Sequence, residues 1–184
     1  MRLFVALSLP EMARTHLSLL GGGVPGATWS PAENLHLTLR FIGEVSTNEA
    51  RDIDDVLAAI GGHAINVEIA GVGQFGDKKQ ARVLWAGIRP NPTLVALRDR
   101  IERALIGIGL APESRKFHPH ITLARLRNAP VERVGRFLSE HADFTLPAFT
   151  ADHFTLYSSL RGNQSPVYHP EVEYPLDVHA HAAD

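Results

Sequence analysis

Cysteine is absent from all 184 residues of the sequence. The protein therefore contains no disulfide bond, no thiolate nucleophile and no cysteine-based zinc site. Long apolar runs are missing too, since none approaches the roughly 18 residues that a membrane span requires. The N-terminal "MRLFVALSLPEMAR" has an apolar run of about seven residues without a small-residue cleavage site after it, so it predicts a buried first strand rather than a signal peptide. We therefore expect a cytoplasmic protein that does not enter a membrane.

Lysine is scarce, and the net charge is small. Only Lys78, Lys79 and Lys116 are present against 15 arginines, and the formal net charge is −2. This balance argues against an extended electrostatic clamp for nucleic acid, although a small acidic ligand needs only a local basic pocket. The arginine excess suits phosphate recognition through the planar guanidinium, and genomic base composition explains it equally well. With 45% hydrophobic residues the chain can bury a core, and its length predicts one domain, which we expect to be monomeric.

The tetrapeptide His-x-Thr-Leu occurs twice, at 36–39 and at 120–123, which is 84 residues apart. A β-rich run and a helical stretch precede both copies, and an amphipathic helical stretch and a β-like alternation follow both. Each half of the chain therefore predicts the order β-α-β-α-β-β. The corresponding lobes are expected at about 1–78 and 79–175, with a C-terminal tail at 176–184.

The repeat predicts an α+β fold in which two antiparallel sheets are related by a pseudo-two-fold axis. Helices are expected on the outside, and a central cleft is expected between the matching strands. Local signals place the helices: Ser46-x-x-Glu49 is a capping box, and Asn91-Pro92 is an N-cap followed by proline at the first helical position. The predicted apolar helix faces are Ile53, Val56, Leu57 and Ile60, then Leu94, Leu97, Ile101, Leu105 and Ile108, and then Val131, Val134, Phe137 and Leu138.

Side chains alternate between the two faces of a strand, so each motif has a polar and an apolar face. In the first motif the alternation puts His36, Thr38 and Arg40 on one face, and it puts Phe41 with the leucines on the other.

In the second motif, His120 and Thr122 share a face. Strict alternation would put Arg125 in the core, so we expect the strand to end or bulge near Ala124. If the two motif strands pair across the pseudo-dyad, two histidines and two threonines converge on one point.

Two imidazoles and two hydroxyls suit reactions at phosphorus. Imidazole has an unperturbed pKa of about 6.5 and can give or take a proton near neutral pH. With two imidazoles on opposite sides of a phosphorus atom, one can deprotonate the attacking oxygen while the other protonates the leaving oxygen. The hydroxyls can donate hydrogen bonds to the non-bridging oxygens. This chemistry needs no metal ion or covalent nucleophile, and it predicts a bell-shaped pH–rate profile.

The remaining histidines leave a structural alternative open. His36, His118 and His120 could supply three imidazoles to a zinc ion, but a zinc site leaves the threonines unexplained. His118 precedes Pro119 and is expected in a turn or in an outer shell of the site. We attach no chemistry to the other histidines, which are His16, His63, His141, His153 and His169, with His179 and His181 in the tail.

Arg125 and Phe41 are further candidates for ligand binding. The guanidinium of Arg125 could pair bidentately with phosphate, or it could be a surface charge at the end of a strand. Phe41 could stack on a base, whereas the pattern alone places it in the core. The basic stretch "GDKKQAR" at 76–82 is either a solvated connector between the halves or a contact to an RNA backbone.

The paired motifs resemble those of the 2H phosphoesterase superfamily, which is named for two His-x-Thr/Ser motifs. Within that superfamily the chain is most similar to the RNA 2′,3′-cyclic phosphodiesterases, formerly called 2′-5′ RNA ligases. The resemblance runs through nearly the whole chain and is carried by "RLFVALSLP", "NLHLTLRFIGEV", "FGDKKQARVLWAGI" and "FHPHITLAR".

This resemblance implies hydrolysis of 2′,3′-cyclic phosphates at RNA ends to 2′-phosphomonoesters, without a metal ion or cofactor, and it also makes reverse 2′-5′ ligation possible. It implies His36 as the proton donor to the 3′ oxygen and His120 as the base that activates water, an assignment that the residues alone do not make. Thr38 and Thr122 would hold the phosphate, and Arg125 matches a phosphate-binding position.

Two other functions stay open at the level of sequence. One is a phosphodiesterase of the same superfamily that acts on a small cyclic nucleotide or on an ADP-ribose cyclic phosphate. The other is a nucleotide- or RNA-binding module without turnover. The presence of both histidines and both threonines disfavours the binding module, because binding alone does not require two proton carriers.

Overall fold

The computed structural model describes residues 1–178, so the tail histidines His179 and His181 lie outside the described residues. The described part has the α+β architecture that the sequence predicts. Its helices are α1 (Glu11–Ser18), α2 (Thr47–Ala58), α3 (Pro92–Gly107) and α4 (Val131–Glu140). Its strands are β1 (Arg2–Ser8), β2 (Ala27–Trp29), β3 (His36–Glu44), β4 (Ile65–Val67), β5 (Ile69–Gly76), β6 (Ala81–Ile88), β7 (His120–Leu126), β8 (Phe149–Ala151), β9 (His153–Leu160) and β10 (Val167–Pro175).

The order of elements repeats along the chain. The first half runs β1-α1-β3-α2-β4-β5, and the second runs β6-α3-β7-α4-β8-β9. The motif strands β3 and β7 begin 84 residues apart, and the same spacing separates α2 from α4, β4 from β8, and β5 from β9. The predicted duplication is therefore confirmed. Strands β2 and β10 are additions to this repeat, and neither was predicted from the sequence.

The long strands form one antiparallel sheet with the strand order β10-β9-β1-β3-β7-β6-β5, and β2 pairs with β7. The small β4–β8 pair forms a separate two-stranded sheet. At the middle of the order, β3 and β7 join through the single pair Leu37–Ile121, so two antiparallel arrays meet at the motif strands. The last long strand of each half crosses to the other array, because β9 lies beside β1 and β5 lies beside β6. The sequence halves therefore exchange strands and are not two separate sheets.

One apolar core joins the strands to the helices. Leu37 and Ile121, at the junction of the arrays, are completely buried and belong to the same cluster as the apolar faces of the helices. The predicted caps are present: the Ser46 side chain accepts from the Glu49 amide while Glu49 reaches back to Ser46, and the Asn91 side chain accepts from the Leu94 amide at 3.0 Å. The helices thus cover one face of the motif strands and leave the other face open.

Two residues that were predicted on apolar helix faces are exposed. Ile108 is 37% exposed because α3 ends at Gly107, one residue before it, and Gly109 takes a positive φ of 98° that terminates the helix. Val131 is 54% exposed because it is the first residue of α4 and extends beyond the packed part of the helix.

The predicted tail packs against the fold at its first residues. Leu176 is buried, and the Asp177 amide donates to the Gly62 carbonyl at 2.7 Å. The packed chain therefore continues past the predicted boundary at 176. Within residues 1–178, no helix has the length and apolar character that crossing a membrane would require.

Candidate active site

The two motif strands bring the four predicted polar residues to one place. An antiparallel arrangement about Leu37–Ile121 sets His36 across from Thr122 and Thr38 across from His120. The two histidines then occupy diagonal positions, which in a regular ladder lie about 7–8 Å apart. All four side chains are half-buried on the open face. The predicted convergence of the motifs is therefore confirmed at the level of strand pairing.

Both motif strands contain a β-bulge directly after the threonine. In β7, pairing with β6 moves from Thr122–Trp85 to Ala124–Leu84, so Leu123 has no partner. The bulge returns Arg125 to the open face, where it is exposed. The bulge predicted near Ala124 is confirmed.

The equivalent bulge in β3 was not predicted. Pairing with β1 moves from Thr38–Ala6 to Arg40–Val5, and this shift leaves Leu39 without a partner. One extra residue inverts the alternation of faces. The prediction that Arg40 shares a face with the histidine is therefore wrong, since Arg40 is only 7% exposed and points into the protein.

The same bulge overturns the core placement of Phe41. Phe41 is 55% exposed and lines the cleft, which is the position that its candidate role in ligand binding requires. Phe41 and Arg125 are separated by the repeat spacing and follow equivalent bulges. One half of the cleft therefore presents an aromatic ring where the other half presents a guanidinium.

Backbone carbonyls fix both imidazoles in one tautomer. His36 Nδ1 donates to the Asn34 carbonyl at 2.7 Å, and His120 Nδ1 donates to the His118 carbonyl at 2.6 Å. Because a carbonyl only accepts, Nδ1 carries hydrogen in both rings, and Nε2 is the lone-pair nitrogen of the neutral ring. At 2.9 Å the Thr38 hydroxyl donates to His36 Nε2. In each motif strand, the carbonyl two residues before the histidine thus orients the imidazole ring.

The electrostatics keep both rings neutral in the free protein. Burial lowers the pKa of His36 to about 4, although its hydrogen bond to the Asn34 carbonyl opposes this change, and the nearby His120 ring lowers the pKa further. Burial also lowers the pKa of His120, against the opposing effect of the His118 carbonyl. Near neutral pH both Nε2 atoms therefore carry a lone pair and no proton.

Aromatic rings enclose each histidine. Phe4 and Tyr168 lie 4.9 and 5.3 Å from the His36 ring between centroids, and Tyr157 stacks on Phe4 at 5.1 Å. These rings come from β1, which pairs with β3, and from β9 and β10, which follow β1 in the strand order. These rings were not predicted from the sequence, because aromatic residues in strands form no motif and their position beside the histidine depends on the order of the strands.

The surroundings of His120 are built in the same way. Phe75 meets its ring edge-on at 4.8 Å, and Trp85 lies 6.3 Å away. Gly73 makes room for the indole, because a Cβ at Gly73 would lie 2.2 Å from a Trp85 ring carbon. The His118 ring packs on Trp85 at 4.9 Å, while the His118 carbonyl orients His120. His118 thus lies at the rim of the site.

A cavity of about 1020 Å³ opens beside these rings on the second-half side of the cleft. Thr38, Phe41, His120 and Arg125 all contribute to its lining. The basic loop contributes in part, since Arg82 lines the cavity while Lys78 and Lys79 are exposed beyond the lining.

The geometry does not support the zinc alternative. Within residues 1–178, no group of three or more His, Cys, Asp or Glu side chains is placed to hold a metal ion. Of the single histidines, His16 bonds to the Met12 carbonyl at 2.8 Å, and His153 bonds to Asp152 at 2.6 Å and contacts Ser8 at 3.3 Å. Both lie outside the cavity lining.

Comparison with known proteins agrees with this geometry. A sequence model of the 2′-5′ RNA ligase superfamily matches residues 14–163. An RNA 2′,3′-cyclic phosphodiesterase of Aeropyrum pernix is 36% identical over 160 residues, which covers 86% of this chain and 90% of that protein. Another of that name, from Thermotoga maritima, is 33% identical over 175 residues, and the match covers 91% of each chain.

Solved structures share the whole fold. The crystal structure of E. coli LigT with 3′-AMP is 28% identical with a TM-score of 0.75, and the match covers 95% of this chain and 97% of that one. A crystal structure from Thermus thermophilus at 24% identity has a TM-score of 0.81 over 97% of this chain and all of that one, which supports the fold alone. Since these matches span most of the chain and agree with the paired motifs, the resemblance is confirmed and the chain belongs to the 2′-5′ RNA ligase superfamily.

Proposed function

We propose that this protein hydrolyses 2′,3′-cyclic phosphates at RNA ends to 2′-phosphomonoesters, with His36 as the proton donor and His120 as the proton acceptor. The observation that carries the proposal is the meeting of two imidazoles on adjacent strands, each anchored through Nδ1 to a carbonyl two residues earlier. The names of the relatives from Aeropyrum pernix and Thermotoga maritima support the substrate class.

In the proposed reaction, water attacks the phosphorus of the cyclic phosphate in line with the 3′ oxygen. His120 Nε2 takes a proton from the water as the new phosphorus–oxygen bond forms. The bond between phosphorus and the 3′ oxygen breaks, and His36 Nε2 delivers a proton to that oxygen. The products are a 2′-phosphomonoester and a free 3′-hydroxyl, and the two imidazoles have exchanged their protonation states.

The donor role requires His36 to gain a proton before the chemical step. Its pKa of about 4 in the free protein leaves Nε2 unprotonated near neutral pH. An anionic phosphate beside the ring favours imidazolium and raises this pKa. The Thr38 hydroxyl, which donates to the unprotonated Nε2, is then free to donate to a non-bridging oxygen instead. Substrate binding and proton uptake are therefore one coupled event.

The other predicted residues have roles that follow from their positions. Thr122 lies across from His36 and would donate to the second non-bridging oxygen. Arg125 is exposed at the cavity wall and would form a bidentate pair with the phosphate. Phe41, on the opposite side, would stack on the terminal base. E. coli LigT has been crystallised with phosphate and with 3′-AMP, which supports a nucleotide in this cleft.

The same steps accommodate ligation. A 5′-hydroxyl of a second RNA end, in place of water, would attack the cyclic phosphate and leave a 2′-5′ linkage after the 3′ oxygen departs. His120 would deprotonate the hydroxyl, and His36 would protonate the leaving oxygen as before. We include this activity in the proposal because the chemistry of the two imidazoles does not depend on the source of the attacking oxygen.

The direct test incubates the purified protein, in excess EDTA, with RNA oligonucleotides that end in a 2′,3′-cyclic phosphate. We expect a 2′-phosphomonoester product, identified by mass and by its resistance to enzymes specific for 3′-phosphates. Activity that disappears on chelation would contradict the two-histidine mechanism. Binding without turnover would identify a binding module instead.

A parallel incubation tests the alternative that the protein is a phosphodiesterase for small cyclic phosphates. Cyclic mononucleotides and an ADP-ribose cyclic phosphate are supplied at the same concentration as the RNA. A kcat/KM higher for either small substrate than for the RNA would replace RNA ends by that compound as the substrate.

A further inference from the structure

The cavity beside His120 has a concentrated positive charge. Its lining includes five exposed cations, Arg82, Arg115, Lys116, Arg125 and Arg127. Among residues 1–178, none of these five takes part in a salt bridge. For a chain of net charge −2, this concentration marks a site for anions.

The one carboxylate in the cavity lining does not cancel this positive charge. Glu113 is the one carboxylate of the lining, and it lies 3.9 Å from Arg40, on the buried side. Arg40 is itself paired with Glu102. Arg98 lies beside Asp99 and over the Phe117 ring, so we leave it out of the anion site.

The segment that carries Arg115 and Lys116 is anchored to the first motif strand. Arg40, in β3, donates to the Ala111 carbonyl at 2.5 Å, and Glu102 of α3 accepts from the Glu113 amide at 2.7 Å. The loop is therefore fixed two residues before its first cation, so less ordering is needed when an anion binds.

The other end of the wall is anchored too. The Arg127 amide donates to the Gly26 carbonyl at 2.9 Å. Gly26 has a positive φ of 82°, and a Cβ there would lie 2.2 Å from the Arg127 carbonyl oxygen. Glycine at this position thus permits the close approach that holds the strand end in place.

The number of cations exceeds what one cyclic phosphate requires. In the proposed function, a single monoanionic phosphate already engages the two threonines and Arg125. Arg82, Arg115, Lys116 and Arg127 remain in the same cavity without a role. The volume of about 1020 Å³ is also at the upper end of the range of about 300–1,000 Å³ for small-molecule sites, so a second group fits beside the first.

We infer that Arg82, Arg115, Lys116 and Arg127 form a second phosphate subsite, which binds the phosphate on the 5′ side of the terminal nucleotide. This inference rests on the proposed function and adds the direction in which the RNA strand runs through the cleft. The strand leaves the reaction centre along the cationic second-half wall, while the aromatic first-half wall receives the base. The second phosphate is either an internal phosphodiester or a 5′-phosphomonoester.

The test compares kcat/KM for four substrates with the same terminal uridine 2′,3′-cyclic phosphate. The first has a free 5′-hydroxyl, the second has a 5′-phosphate, the third is a dinucleotide, and the fourth is that dinucleotide with a neutral methylphosphonate linkage. Charged hydrogen bonds contribute about 1.5–3 kcal/mol, so we expect the second and third substrates to exceed the first by roughly 10- to 150-fold. The methylphosphonate dinucleotide should lose most of this gain.

Variants test whether the gain in kcat/KM from the second phosphate depends on the cationic wall of the cavity. The double variant Arg115→Ala/Lys116→Ala should reduce the dinucleotide-to-nucleoside ratio of kcat/KM by at least about tenfold. The matched control is Arg51→Ala, which removes an exposed arginine of α2 that does not line the cavity, and it should leave the ratio unchanged.

The outcomes separate the two proposals. If the wild-type protein hydrolyses none of the four substrates, the proposed function is wrong and this inference is lost with it. If it hydrolyses all four with equal kcat/KM, or if the double variant keeps the gain, only the second subsite is wrong. A gain with the dinucleotide but not with the 5′-phosphate assigns the subsite to internal phosphodiesters, and a gain with both assigns it to either source.

Discussion

The two halves of the cleft match at the reacting groups and differ around them. His36 and Thr38 are repeated by His120 and Thr122, on strands with the same bulge at the same place. Beyond the bulge, Phe41 corresponds to Arg125, so an aromatic ring on one side faces a cation on the other. In the proposed mechanism, the symmetric part would supply a general acid and a general base, and the asymmetric part would distinguish the two ends of a substrate.

The buried side of the same strands differs as well. Arg40 corresponds to Ala124, and both are buried. The Arg40 guanidinium donates to Glu102 and to two backbone carbonyls, those of Phe41 and Ala111. The first half therefore contains a buried ion pair that holds the linker before the second motif, and the second half has only a methyl group in that place.

The largest effect is expected at the symmetric positions. His36→Ala and His120→Ala should each lower kcat by about 10²–10⁴-fold, because each removes one proton carrier. Circular dichroism should show an unchanged fold, and His16→Ala, outside the cavity, is the control. Added imidazole should rescue His120→Ala better than His36→Ala, since the His36 ring is the more enclosed one. A variant with near-normal kcat removes its histidine from the mechanism.

A large effect on stability is expected at Arg40, where the halves differ in the core. Arg40→Met leaves the Glu102 carboxylate buried without its partner, so the free energy of unfolding should fall by about 3–5 kcal/mol. Urea denaturation measures this change. Arg103→Met, an exposed position of the same helix as Glu102, should change it by less than about 0.5 kcal/mol.

A second variant separates loss of charge pairing from loss of packing. Arg40→Met/Glu102→Leu removes both charges and should regain part of the lost stability. If the double variant is no more stable than Arg40→Met, the buried ion pair does not explain the stability of this region.

The salt dependence of KM should distinguish the roles of Phe41 and Arg125. Arg125→Ala should raise KM for the RNA end by about 10- to 150-fold through the loss of a charged pair. Phe41→Ala should raise KM by a comparable or smaller factor through the loss of base stacking, worth about 1–3 kcal/mol. Only Arg125→Ala should weaken the dependence of KM on salt, by about 0.7 in the log–log slope. The same salt dependence in both variants would contradict the assigned difference between the walls.

The smallest effect concerns pH and the asymmetry of the two rings. A non-hydrolysable cyclic phosphonate keeps one negative charge near neutral pH, so its affinity reports on the protein. The pKa of His36 is about 4 without ligand and is raised by the bound anion, so the complex holds one more proton than the free protein. Affinity should therefore fall as pH rises, by up to about tenfold per unit above pH 4 and below the raised pKa. Calorimetry in two buffers measures the proton uptake, and its absence would contradict the coupling.

Much of this arrangement could be predicted from local sequence. Helix caps such as Ser46 and Asn91 act through neighbouring residues, and the repeated order of elements follows from periodicity. The placement of the histidine and threonine of each motif on one face of the strand follows from the alternation of side chains. The bulge near Ala124 was predictable because regular alternation would bury the charged Arg125. The equivalent bulge before Arg40 was not, because regular alternation there puts arginine on the polar face and phenylalanine in the core, which is the ordinary arrangement.

The rest depended on contacts between distant parts of the chain. Arg40 can be buried only because Glu102 of α3 lies against β3, and no local pattern links these two residues. Tyr168 and Phe75 reach the histidines because β10 and β5 lie in arrays that mix both sequence halves. The pairing order of strands is set by packing over long sequence separations, so the lining of the site could not be read from the motifs.

The convergence of the two imidazoles on one phosphate is tested most directly by ¹⁵N NMR of the histidine rings during titration with the cyclic phosphonate. We expect the Nε2 signals of His36 and His120 both to move along a single binding curve, and the His36 signal to move to the position of a protonated nitrogen. A change at only one of the two rings, or two curves with different midpoints, would contradict a shared phosphate between the repeated motifs.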